Sequence, residues 1–127
     1  MIVGLGIDLV EIDRIARLVM ARGDHAVHRL FTDAEAAYAL TQSLPARHFA
    51  ARFAAKEAAY KALAGTEGAR GIGWRDIEVV REWDGRPALR FHARAAERAE
   101  ELRVTRALVT LTHSNLTAGA VVVLEAD

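Results

Sequence analysis

The chain has 127 residues, 52% of them hydrophobic, with 17 basic residues against 17 acidic ones and no cysteine. That is enough for one domain, residues 1–127, with a real core; it excludes a disulfide scaffold and thiolate metal sites, and the balanced charge speaks against a general nucleic-acid binder. No apolar run is long enough to span a bilayer and the first residues lack a basic-then-apolar leader, so a cytoplasmic protein with no membrane partner is expected.

The opening "MIVGLGIDLVEI" predicts a strand from Ile2 to about Asp8. Val3, Leu5 and Ile7 share one face; Gly4, Gly6 and Asp8 share the other. The glycine face is bare, so another backbone or a ligand can come close to Asp8. "VEIDRIARLVMARG" predicts a helix with Ile12, Ile15, Ala16 and Val19 inward, ended by Gly23. Arg14 and Arg17 lie off that stripe. "FTDAEAAYAL" starts a second helix, with Thr32 and Glu35 spaced as a capping box. Pro45 suits the first turn of a third helix that ends before Gly65. "GTEGARGIG" is a glycine-rich loop. "DIEVVREW" and "PALRFH" are strands of a hairpin around Asp84-Gly85, and "ARAAERAEEL" is a short helix. "RALVTLTH" and "AGAVVVLE" are strands joined through Ser114, Asn115 and Leu116. The irregular order of strands and helices implies α+β.

In the third helix, "RFAAKEAAYKAL", Phe49, Phe53, Tyr60 and Leu63 share one side with Lys56 among them, and alanines cover most of the rest. A helix apolar nearly all round packs on several sides, where charges are rarely buried unless paired. Taken alone, the stretch reads more readily as an i,i+4 Glu57–Lys61 ion pair with Lys56 snorkelling. Asp8 can cap the following helix, and His113 can be a solvated strand end. Together these residues supply two carboxylates, lysines and an imidazole. Without cysteine, the carboxylates suit Mg²⁺ better than zinc, and a nearby lysine suits a phosphate. The glycine loop matches neither GxGxxG nor GxxxxGK[ST].

The segments "GIDLVEIDRI", "RFAAKEAAYKAL" and "LTHSNLTAGAVVVLE" resemble the three signature regions of the holo-acyl-carrier-protein synthase family, the short-chain 4′-phosphopantetheinyl transferases. The resemblance runs over essentially the whole chain. It implies an α+β fold of that family's kind, a small mixed sheet with a long packed central helix. It also implies transfer of the 4′-phosphopantetheine arm of coenzyme A to a serine of apo-acyl carrier protein. Asp8 and Glu57 match the family's Mg²⁺ carboxylates. Lys61 matches a lysine at the phosphates that is one candidate base for the serine, with a metal-bound water or a carboxylate as rival base. Lys56 is expected near the phosphates, His113 by the coenzyme A nucleotide at its 3′-phosphate, Gly65 in the coenzyme-binding loop and Arg14 at the acidic carrier. The family works as a homotrimer with each site between two protomers. The residues alone leave two other readings open: another Mg²⁺-dependent nucleotide or phosphate transferase, and a non-catalytic carrier-binding module.

Overall fold

Apolar residues on alternate positions of three strands and an alanine-rich helix organise the chain around a helix-on-sheet contact. The computed structural model describes residues 1–63 and 68–127. The chain runs β1 (Ile2–Glu11), α1 (Ile12–Arg22), α2 (Asp24–Leu30), α3 (Asp33–Leu40) and α4 (Pro45–Leu63). After a 3₁₀ turn at Trp74–Asp76 come β2 (Ile77–Arg81), β3 (Pro87–Phe91), α5 (Ala93–Glu101), β4 (Val104–His113) and β5 (Thr117–Ala126). The α+β expectation holds. The small sheet resolves into two antiparallel ones, a three-stranded sheet in the order β1-β5-β4 and the hairpin β2-β3.

Local signals act as expected. Gly23 takes φ +55° and stops α1, a conformation that spares glycine the Cβ clash. Thr32 and Glu35 form the capping box of α3. Gly85, at φ +90°, turns the hairpin. The short helix α2 went unpredicted, because its seven residues carry too few apolar positions to show a period. β1 also runs three residues past Asp8, to Glu11.

The α4-facing side of the sheet is closed: Ala118, Ala120, Val122 and Leu124 of β5 are buried against α4. On α4, every alanine from Ala50 to Ala62 is buried. The glycines of β1 explain the closeness. A Cβ on Gly6 would stand 1.8 Å from the Ala58 carbonyl oxygen, and one on Gly4 would stand 2.2 Å from that of Ala62. Backbone therefore lies on backbone, and the bare strand face is filled by α4 rather than by a ligand. The opposite side of the sheet is uncovered: Leu5, Ile7 and Leu9 are 67%, 60% and 68% exposed. Val121, Val123 and Leu108 continue that face by register.

The Gly6 contact predicts a large effect from a small change. Gly6→Ala should cost about 3 kcal/mol of stability through overpacking against main chain that has no rotamer to yield. Urea unfolding of the variant against the parent measures it.

Candidate active site

Asp8 lies one strand pleat beyond Gly6, on the face that meets α4. Glu57 and Lys61, one helical turn apart, are brought to it by the glycine contact. The Lys61 ammonium donates to Asp8 Oδ1 at 3.1 Å and to the Ile7 carbonyl at 3.0 Å. The i,i+4 pair that the helix alone suggests does not form; Lys61 pairs with the strand instead. Glu57 is half-buried and has no hydrogen-bond or ion-pair partner among the described residues. Burial, and then the neighbouring Asp8 charge, push its carboxyl above the usual range, with Lys61 and Arg14 opposing. Arg14, exposed on α1, is thus within electrostatic reach of the site.

Two carboxylates held close at an electrostatic cost, one of them without a protein donor among the described residues, form an all-oxygen set that fits a hard divalent cation. Among the described residues no third His, Cys, Asp or Glu joins such a group, which leaves coordination positions for water or phosphate oxygens.

A half-open cavity of about 350 Å³ borders Glu57, walled by Tyr60, Ile72, Trp74 and Ile77. Lys56 also lines it, but its ammonium is buried and already engaged. It pairs with Glu35 at 2.7 Å and donates to the carbonyls of Trp74 and Ile77. All three of its protons are spent. The expectation of Lys56 at the phosphates is revised by this geometry. Gly65 lies outside the described residues. Gly68 and the carbonyl of Arg70, farther along the glycine loop, are held by Arg94.

His113, exposed at the end of β4, stands elsewhere. Its neighbour is His48, near the first turn of α4, whereas Asp8 meets Lys61 near the last. By register His113 pairs with Ala118 and Ala118 with Val10, so His113 lies two strands across the sheet from a position two residues past Asp8. Burial lowers the His48 pKa, followed by the charges of Arg52, His113, Arg47 and Arg81. Arg52 and Arg81 lie over the Tyr38 ring at 4.5 and 4.7 Å, and Arg81 also donates to the Tyr38 hydroxyl. This cationic cluster escaped the sequence reading. Its members come from α3, α4, β2 and β4, and nothing in their spacing joins them.

A family model described as the 4′-phosphopantetheinyl transferase superfamily matches residues 4–119. The chain belongs to that superfamily. Within it, the chain is 46% identical over 125 residues to a holo-[acyl-carrier-protein] synthase of Koribacter versatilis, covering 98% of this chain and 99% of that one. It is 47% identical to the synthase of the same description from Solidesulfovibrio magneticus, with the same two coverages. The crystal structure of the Neisseria meningitidis synthase superposes with a TM-score of 0.85 at 29% identity, over 98% of this chain and 99% of that one. The Bacillus anthracis synthase, described as a complex with CoA (3′,5′-ADP), gives 0.78 at 32%, over 100% and 99%.

The Asp8–Glu57 repulsion is measurable without any reaction. In metal-free protein the Glu57 carboxyl should titrate above an ordinary glutamate, and Asp8→Asn should bring it down by removing the neighbouring negative charge. Carboxyl-carbon NMR against pH reads both values.

Proposed function

We propose that this protein is a holo-acyl-carrier-protein synthase, which moves 4′-phosphopantetheine from coenzyme A to a serine of apo-acyl carrier protein. The observation that carries the reading is Glu57, half-buried and unpartnered among the described residues, facing Asp8 and Lys61 in a chain that matches such synthases over 98% of its length. In the reaction the serine hydroxyl gives up its proton to a base at the site and its oxygen bonds to the phosphorus that bears pantetheine. The bond from that phosphorus to the bridging oxygen breaks, and adenosine 3′,5′-bisphosphate leaves. Such a transfer needs positioned groups and neutralised charge more than covalent help.

Asp8 and Glu57 would hold Mg²⁺, which supplies positive charge to the pyrophosphate oxygens. Lys61 is half-exposed and can turn its ammonium from Asp8 to a phosphate oxygen. Its exposure distinguishes it from Lys56 and supports the phosphate role. Both lysines occupy one helix, and only one has protons to offer.

The apolar side of the sheet supports a homotrimer, since an uncovered face of this kind calls for a partner surface. A coenzyme held at Asp8 and Glu57 of one protomer reaches His113 of its neighbour. The cluster of Arg52, Arg81 and His48 gives His113 the surroundings that a 3′-phosphate needs. Arg14 and the groove beyond it suit the acidic carrier. That groove is lined by Leu18, Leu30, Phe53 and Trp74 and edged by Arg22 and Arg29. No helix among the described residues is long and apolar enough to cross a membrane, which accords with a cytoplasmic enzyme.

Incubation with coenzyme A and apo-carrier, read by mass, tests the activity: modified carrier must appear, and its absence refutes the reading. Asp8→Ala and Glu57→Ala should each lower turnover on the order of 100-fold while leaving the far-UV spectrum intact. Near-normal turnover would remove the metal assignment. His113→Ala should raise KM for coenzyme A about tenfold with kcat little changed, and should spare 3′-dephospho-coenzyme A. Equal losses with the two substrates would remove the 3′-phosphate role.

A further inference from the structure

Lys56 and Glu35 form an ion pair whose side chains are 1% and 0% exposed, and the transfer chemistry does not use it. A pair this deep seldom adds stability over apolar residues of the same volume, because desolvation offsets the attraction. Its other contacts are what single it out. Glu35 accepts the backbone N–H groups of Thr32 and Val79, each at 2.8 Å, and so ties the start of α3 to β2. Lys56 donates to the carbonyls of Trp74, the first residue of the 3₁₀ turn, and of Ile77, which follows it. The end of such a turn leaves carbonyls without intrahelical partners, and the buried ammonium satisfies them.

The secured turn carries Trp74. Its ring stacks on Phe53, with centroids 5.0 Å apart, and borders both the cavity beside Glu57 and the groove edged by Arg22 and Arg29. Lys56 precedes Glu57 in the chain. One stretch of α4 therefore presents the carboxylate to the cavity and fastens the wall across from it.

We infer that Lys56 and Glu35 are positioning residues for the transfer: together they set the spacing between α4 and the Trp74–Ile77 wall, and so the width of the cavity that receives coenzyme A beside Glu57. The inference rests on the coenzyme A reading of that cavity. A phosphate contact by Lys56 would require it to give up a buried carboxylate or a buried carbonyl. The wall is common to two cavities, so its displacement alters the surface offered to the carrier as well as that offered to the coenzyme.

The chain has two tryptophans, and Trp83 is 95% exposed on the hairpin, so in a Trp83→Phe background Trp74 alone reports on the wall. Two variants are made in that background. Glu35→Asp keeps both charges and withdraws the carboxylate by one methylene. Lys56→Met with Glu35→Gln removes both charges together. Trp74 emission should move to the red and become easier to quench with acrylamide in both. KM for coenzyme A should rise about threefold in the first and about tenfold in the second, with kcat within about twofold of the parent, as loss of uniform binding requires. Unchanged emission and KM in folded Glu35→Asp protein would overturn the inference. So would a collapse of kcat at constant KM, which would make Lys56 a group touching the reacting phosphate. Should the double variant not fold, the aspartate variant decides. A parent that transfers nothing refutes the coenzyme A reading, and the emission shift then judges the wall by itself.

Discussion

The candidate site depends on how closely α4 approaches β1. Two glycines on the strand and a run of alanines on the helix let main chain meet main chain, as the Gly6–Ala58 contact shows. Each larger side chain at that contact would push the helix outward and draw Glu57 and Lys61 away from Asp8. The same closeness strips water from Glu57 and sets it against Asp8, which raises its pKa. Packing, in this protein, is what gives an otherwise ordinary glutamate its chemistry. The arrangement also explains why the helix shows almost no amphipathic contrast: it is enclosed on most of its circumference, and its few polar groups are assigned to particular partners.

Much of this is legible in the sequence, and the reasons are local. Alternation in "IVGLGID" sorts the glycines and Asp8 onto one face, and Thr32 with Glu35 marks a helix start. Asp8, Glu57 and Lys61 are drawn together by signature segments before any coordinate is known. Other features depend on tertiary neighbours. A helical wheel sets Lys56 among the aromatic residues but names no partner for it or for Lys61, whereas in the fold one faces Glu35 and two carbonyls and the other faces Asp8 and solvent. Glu35 reads from its spacing as a capping residue, which it is; its second duty as counter-ion to Lys56 needs α3 and α4 side by side. The grouping of Tyr38, Arg52, Arg81 and His48 has no period or motif behind it.

The two faces of the three-stranded sheet divide the work of the fold. One face gives the monomer its core, through small side chains that admit α4. The other carries large apolar residues in open solvent and adds nothing to the monomer's own core. Residues of neighbouring strands thus serve two separate purposes, and the alternation of β1 encodes both at once.

The stacking of Arg52 and Arg81 on Tyr38 has a kinetic meaning. Carboxylates would fix two guanidiniums firmly but would cancel their charge. A neutral ring holds them by its quadrupole and leaves the charge in place. In a chain whose net charge is zero, the exposed Arg81 keeps a positive charge at the surface of this corner, above the buried Arg52. An approaching anion is drawn in before any contact forms, so the cluster acts on the rate of encounter as well as on the strength of the final complex, and added salt weakens that pull.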